Sequence, residues 1–221
     1  RGTSGTIVKP TEKAPENAGN APQEISAKEL KSFRRIRKDP EPEEIAGDTH
    51  FIISNEIHHE LFKAPIENLG GIYVGVGTDQ NYVLAGWAKP LYLVMMDFDQ
   101  WVVDLHRVYF HFFRTTKTPK EFIAAWSRRG LRKKKRALRK RSNALRVAFI
   151  RCRWKVYRRL RQLAKRYTQL DVPTFLNDQK QFDFIRNLVL KKRVKAVRGN
   201  LKGNFTMRSI GRFARRYNRV V

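Results

Sequence analysis

The chain has 221 residues, a hydrophobic fraction of 41% and a formal net charge of +27. This hydrophobic content is enough for a packed core and excludes a chain that is disordered throughout. The single cysteine, Cys152, excludes a disulfide framework and a multi-cysteine zinc site within the chain. The longest apolar run, residues 101–113, is too short to cross a bilayer.

Residues 1–48 are predicted to be a disordered tail or linker. They are rich in Pro, Gly, Ala, Glu and Thr, show no hydrophobic period, and contain the turn-rich stretch KDPEPEE. Ordered structure is expected to begin near His50. Because the chain starts at Arg1 and not at Met, removal of a signal peptide or membrane anchor stays open, with the cytoplasm as the favoured compartment.

Residues 49–126 and 181–221 alternate between strand and helix patterns, so they are interpreted as the two parts of one α/β domain. The predicted elements are strands at 72–76, 91–96 and 194–197 and helices at 81–88, 100–113, 118 onward, 179–190 and up to Tyr217. The order predicts a parallel sheet. Residues 219–221 (RVV) read as a fourth strand that is only beginning, which suggests a fragment with an incomplete sheet.

Residues 127–180 are predicted to form a basic helical insertion. Residues 128–166 contain 19 Lys and Arg, and no acid occurs between Phe122 and Leu170. Apolar residues nevertheless recur every three or four positions, which traces one face of a long helix or helical hairpin. These residues are Leu145, Phe149, Cys152, Val156, Leu160, Leu163, Tyr167 and Leu170.

A glycine motif after the first strand predicts a small-molecule site. Gly75 and Gly77 permit a tight turn and close approach of a ligand to the backbone. Asp97 ends the second strand 20 residues later, where an acid commonly binds ribose hydroxyls. Position 80 is Gln80 in place of the third glycine, and Asp79 disfavours an anion, so S-adenosylmethionine is favoured over a dinucleotide. The alternative is an ordinary βαβ turn.

The segment GGIYVGVGTDQNY and the following apolar strand into DFDQ resemble an uncharacterised bacterial family of S-adenosylmethionine-methyltransferase-like proteins. The SNE at 54–56 and the VRGNLKGNFTMRSIG at 197–211 resemble its flanking segments, so the match covers roughly 50–126 and 180–221. The resemblance implies a pocket at the strand ends, with Asp99 competing with Asp97 for the ribose and Asn200 where the family often has an acid. The residues that it implies for the pocket are Gly75, Gly77, Asp79, Gln80, Asn81, Asp97, Asp99 and Asn200. It names no catalytic residue.

The basic region predicts an anionic partner through residues 128–166. Arg and Lys neutralise phosphates, while Trp154 and Tyr157 can stack on bases, so nucleic acid is favoured over an anionic membrane with Phe149, Trp154 and Leu160 inserted. A solvated helix that packs its apolar stripe on the sheet is the third interpretation. The candidate binding residues are Arg132, Lys133, Lys134, Lys135, Arg136, Arg139, Lys140, Arg141, Arg151, Arg153, Arg158 and Arg159.

The sequence therefore predicts an α/β fold: a partial, Rossmann-like parallel sheet with a long basic helical insertion and a disordered N-terminal tail. The first functional hypothesis is an S-adenosylmethionine-dependent methyltransferase, or a ligand-binding relative, whose insertion recruits an anionic substrate. The second is a non-enzymatic nucleic-acid-binding protein with the α/β unit as scaffold, and the third a peripheral membrane protein. No metal site is predicted, since His58 and His59 are adjacent and lack H-x-x-x-H spacing. The sequence indicates no oligomeric state.

Overall fold

The computed structural model describes residues 25–42, 50–203 and 205–221. Three strands, β1 (Ile72–Val76), β2 (Tyr92–Asp97) and β3 (Val194–Arg198), form a parallel sheet in the order β1-β2-β3. Every residue of the central strand β2 is buried, because helices cover both faces of the sheet. The predicted mixed α/β class with a parallel sheet is confirmed.

Helices fill both connections between the strands. The crossover from β2 to β3 is much the longer of the two, and it contains the whole of the predicted basic region. The helices in chain order are α1 (Ala27–Arg34), α2 (Lys63–Ile66), α3 (Gln80–Ala88), α4 (Gln100–Thr115), α5 (Pro119–Ala125), α6 (Leu131–Arg141), α7 (Asn143–Gln169), α8 (Gln179–Leu190) and α9 (Phe205–Arg216), with a 3-10 turn at His59–Phe62. No helix in the described part of the chain is both long enough and apolar enough to cross a membrane.

The basic region is a pair of helices. Ser142 stands between α6 and α7 in an extended conformation, and its hydroxyl accepts a hydrogen bond from the Ala144 N–H (3.2 Å), which caps α7. The chain therefore turns at Ser142, and α6 packs against α7. Helix α7 in turn packs on α4, so residues 127–180 share one core with the rest of the domain.

The alternation of β2 side chains divides the core between the two faces of the sheet. Leu93 and Met95 point to the larger cluster, formed with helices α3 to α8, where aromatic rings such as Phe113 and Phe122 stack at 4.3 Å. Tyr92, Val94 and Met96 point to the opposite face, which α1 and α9 cover. The apolar stripe predicted for the basic region is buried in the larger cluster from Leu145 to Tyr167, whereas Leu170 is exposed.

The prediction of a disordered tail is wrong for residues 25–42. Ser26 caps α1, and Phe33 is fully buried with its ring 4.4 Å from that of Tyr92. Glu29 accepts two hydrogen bonds from the Arg219 guanidinium (2.8 and 2.9 Å), which ties α1 to the segment after α9. One buried aromatic ring and one buried ion pair therefore hold this segment on the domain, although its sequence has no hydrophobic period. The tail prediction for residues 1–24 and 43–49 lies outside the described residues.

The residues predicted to start a fourth strand lie beside β1. The Ile72 N–H donates to the Val220 carbonyl oxygen (2.7 Å), and the Gly71 carbonyl accepts from the N–H groups of Leu91 and Tyr92 on the β2 side. Because the C=O and N–H of one trans peptide group point in opposite directions, Val220 lies on the edge of β1 that β2 leaves free. Residues 219–221 are not assigned to a strand.

Candidate functional site

The carboxyl ends of the three strands bring the predicted ligand-binding residues to one edge of the sheet. β1 leads into the loop 77–79, β2 ends at Asp97 with Asp99 just beyond, and β3 leads to Asn200. This is the edge at which open parallel sheets bind ligands. The environment of each side chain shows which of the eight residues are available to a ligand.

Asn81 and Gly75 hold the loop after β1 in its shape. The Asn81 side-chain amide donates to the Val76 and Thr78 carbonyls (2.9 and 3.3 Å) and accepts from the Tyr73 hydroxyl (3.0 Å). A Cβ atom at Gly75 would collide with this carboxamide, so glycine is needed there to admit Asn81. These two residues therefore build the loop from inside and present no polar atom to a ligand.

Gly77 has the positive φ that a tight turn requires, at +86°. Its carbonyl accepts a hydrogen bond from His106 Nε2 (2.7 Å), and His106 Nδ1 accepts from the Tyr82 hydroxyl (2.9 Å). Burial lowers the pKa of His106 to about 4, so the neutral ring links α4 to the loop. Gln80 lies half-buried beside it, with its amide nitrogen bonded to the Val76 carbonyl (3.2 Å).

Asp79 forms a buried ion pair with Arg159 of α7. Arg159 Nε donates to Asp79 Oδ2 (3.0 Å), and the two side chains are 6% and 0% exposed, respectively. Asp79 Oδ1 accepts from the Ser54 N–H (2.9 Å), and the Arg159 guanidinium also donates to the Glu56 carbonyl. Asp79 was predicted to contact a ligand and Arg159 an anionic partner. The structure instead buries both side chains against each other.

Asp97 and Asp99 are also bonded within the protein. Asp97 accepts from the Asp99 N–H (2.9 Å), and burial raises the pKa of the Asp97 carboxyl. Asp99 caps α4 by accepting from the Trp101 N–H (2.8 Å), and it accepts from His50 Nδ1 (2.6 Å). Asn200 differs from both, because its side chain is exposed and bonds the Lys202 N–H (2.9 Å).

The sequence did not indicate a role for Asp39, whose segment crosses the carboxyl ends of the strands. Its carboxylate accepts from the N–H groups of Asn200 (2.9 Å), Phe205 (2.9 Å) and Thr206 (3.1 Å), at the start of α9. Burial alone would raise the pKa of Asp39, but these hydrogen bonds outweigh it and lower the pKa. Residues 36–42 thus lie as a strap across the ends of β2 and β3, and no local signal indicates a partner more than 150 residues away.

Two clefts open beneath this strap. One, of about 270 Å³, is lined by Phe98, Asp99 and Trp101 together with Ala148 of α7. The other, of about 230 Å³, is lined by Phe98, Gly199 and Asn200. Of the eight predicted ligand-binding residues, Asp99 and Asn200 therefore line these clefts. Both clefts combine one or two aromatic rings with a few polar groups, as small-molecule sites do.

The predicted anion-binding residues fall into three groups by exposure. Lys134, Lys135 and Arg153 are half-buried, and Lys134 Nζ donates to the Ala124 and Ser127 carbonyls (both 3.1 Å). Arg159 is buried, as described above. The exposed ones are Arg132, Lys133, Arg136, Arg139, Lys140, Arg141, Arg151 and Arg158. We call the exposed cations of α6 and α7 the basic surface.

The fold and its strand-end clefts define a mixed α/β protein with a three-stranded parallel sheet and an extended basic surface. The chain belongs to the family described as Domain of unknown function (DUF7790), which matches residues 51–221. The strap and α1 lie outside the matched residues. A search of curated proteins found no match.

The buried ion pair leads to the first prediction. Arg159→Gln should lower the free energy of unfolding by about 3–5 kcal/mol, because it leaves the Asp79 carboxylate buried without its partner. Arg158→Gln, next along the same helix but exposed, should change it by less than about 0.5 kcal/mol. Urea unfolding measures both. The Asp79→Asn/Arg159→Gln double variant should lose less than the sum of its single variants. Equal stability of the two arginine variants would contradict the role of the pair.

His106 leads to a prediction of pH dependence. Because its folded pKa is lowered to about 4 from 6.5, the unfolded chain binds more protons between these pH values, so stability falls as the pH drops from 6.5 towards 4. His106→Gln lacks this titration. The stability difference between the parent protein and His106→Gln should therefore narrow by about 3 kcal/mol between pH 7 and pH 4. A constant difference for His106→Gln would refute the prediction.

Proposed function

We propose that the chain is a nucleic-acid-binding protein in which the α/β unit holds the basic surface of α6 and α7 towards solvent. One observation carries the proposal: the apolar stripe of α7 is buried in the core, so most cations of these helices face outward. No acid occurs in the sequence between Phe122 and Leu170 to balance them. Such an uncompensated field attracts a polyanion and is unfavourable without one.

The burial of the stripe favours nucleic acid over a membrane. Phe149 and Leu160, which would insert into a lipid surface, are fully buried in the core. Trp154 is 57% exposed, and its ring lies 6.2 Å from that of Tyr157, beside exposed Arg151 and Arg158. An exposed aromatic ring among cations suits stacking of an unpaired base, so single-stranded nucleic acid is the proposed partner.

The scaffold is proposed to be a partial Rossmann-like unit in which α6 and α7 are an insertion. The strand order β1-β2-β3 supports this, since it matches one half of a doubly wound sheet. The placement of α9 on the opposite face from α3, α4 and α8 supports it too, as does the position of Val220 beside the free edge of β1. In this interpretation the β2-to-β3 crossover has been extended by two helices.

A second candidate function is binding of S-adenosylmethionine or a related ligand at the strand ends. The observation that favours it is the pair of clefts around Phe98, with Asp99 in one and Asn200 in the other. The ring of Phe98, 42% exposed, could face an adenine. Methyl transfer would then act on an anionic substrate recruited by the basic surface. The internal bonds of Asp79, Asn81 and Asp97 make this candidate second to nucleic-acid binding.

Binding of a single-stranded oligonucleotide, measured by fluorescence anisotropy at several salt concentrations, tests the first proposal. Affinity should fall steeply with salt, and replacing Arg132, Lys133 and Arg136 by Gln should reduce the slope of log K against log salt by about 2, at about 0.7 for each phosphate contact. Trp154→Ala should weaken binding by about 1–3 kcal/mol.

A matched control separates the basic surface from total charge. Lys120, Lys180 and Lys191 are exposed outside α6 and α7, so replacing all three by Gln removes the same charge and should leave the affinity nearly unchanged. Equal weakening by the two triple variants would mean that only net charge matters. Binding to anionic vesicles in place of the oligonucleotide would refute the proposal in favour of a membrane.

Calorimetric titration with S-adenosylmethionine tests the second candidate. Binding should be detectable, and Phe98→Ala should weaken it by about tenfold, equivalent to about 1.4 kcal/mol of lost ring contact. Leu201→Ala removes an exposed apolar side chain outside the lining of both clefts and should have no effect. Absence of binding to the parent protein, or equal affinities of the two variants, would rule this candidate out.

A further inference from the structure

A third cleft lies where the α7 part of the basic surface meets the segment that precedes the short helix α2. It is formed by residues 50–54 on one side and by Lys155, Arg158 and Gln162 of α7 on the other, and its volume is about 500 Å³. We call it the α7 cleft. Pockets of about 300–1,000 Å³ hold small molecules, so a single nucleotide fits this volume.

The charge in the α7 cleft is positive and unbalanced. Within the described residues, no carboxylate lines the cleft, and Lys155 and Arg158 form no ion pair. Arg159 also lines it, but the buried Asp79 already neutralises that guanidinium. Two free cations one helical turn apart can bind the same anionic group, and a phosphate offers the oxygens for both.

The other wall of the α7 cleft carries an exposed aromatic ring. Phe51 is 71% exposed and lines the cleft opposite the two cations. Its neighbour His50 is fixed, because Asp99 accepts from Nδ1 at 2.6 Å and the imidazole ring lies 5.1 Å from that of Trp101. Phe51 therefore extends from an anchored residue, where it can stack on a base, and the Gln162 amide can bond a base edge.

We infer that the α7 cleft binds one nucleotide of the strand that the basic surface attracts. Lys155 and Arg158 hold the phosphate, and Phe51 stacks on the base. This inference rests on the proposed nucleic-acid function and deepens it: the basic surface supplies polymer affinity through many phosphates, whereas the cleft supplies one defined site. The ligand class is a nucleoside monophosphate unit, recognised through its phosphate and its ring together.

Titration of the full chain with adenosine 5′-monophosphate, with adenosine and with inorganic phosphate tests the inference. The monophosphate should bind more tightly than either part alone. The Lys155→Gln/Arg158→Gln variant should weaken its binding by at least about tenfold, since both charged hydrogen bonds to the phosphate are lost. Phe51→Ala should remove the preference for the monophosphate over inorganic phosphate. All three side chains are exposed, so these variants should remain folded.

The α6 variant with Arg132, Lys133 and Arg136 replaced by Gln is the matched control. It should keep the monophosphate affinity within about twofold while it weakens binding of the oligonucleotide. If the oligonucleotide binds but the monophosphate does not, or if the α6 variant loses both equally, the inference is overturned and the proposed function stands. If the oligonucleotide binds no more tightly than the monophosphate, polymer binding is refuted, and with it the inference as stated.

Discussion

The buried ion pair between Asp79 and Arg159 is the contact on which the arrangement of the site depends. It joins the loop after β1 to α7, 80 residues later in the chain, and the same two side chains also bond Ser54 and Glu56. Three separate segments thus meet at one pair of charges. Burying these charges has a large desolvation cost, which only the complete set of hydrogen bonds can offset. The pair therefore fixes α7 against the loop after β1.

This contact gives one arginine of α7 a role that its neighbours do not share. Arg159 turns inward and is neutralised, whereas Arg158 and Lys155 stay outside and keep their charge. On a helix, adjacent residues point about 100° apart, so a single inward cation can anchor a surface of outward ones. The apolar stripe from Leu145 to Tyr167 provides the remaining attachment. The outward charge follows from how the helix is fixed, because a helix held along one face must expose the other.

Local patterns in the sequence predicted most of the secondary structure but not α1. The apolar run at 91–96, the helix start at Thr118 and the stripe on α7 each depend on residues a few positions apart, and each corresponds to an observed element. The contacts of α1, Asp39 and Arg159 depend on partners about 80 to 190 residues away, so no local pattern contains them. Asp79 shows the difference well: its position at the turn was predicted, but its partner was not, and the partner determines what the side chain can bind.

Four carboxylates at the strand-end edge are bonded inside the protein. Asp39 accepts three backbone N–H groups, Asp79 pairs with Arg159, Asp99 bonds His50 and the Trp101 N–H, and burial favours the neutral form of Asp97. An edge with four acids would ordinarily repel an anion. Here the Arg159 guanidinium balances Asp79, and among the described residues no carboxylate lines the α7 cleft beside Phe51. The bonding that weakens the case for a ribose-binding acid thus also keeps these carboxylates away from the phosphate that we propose for the α7 cleft.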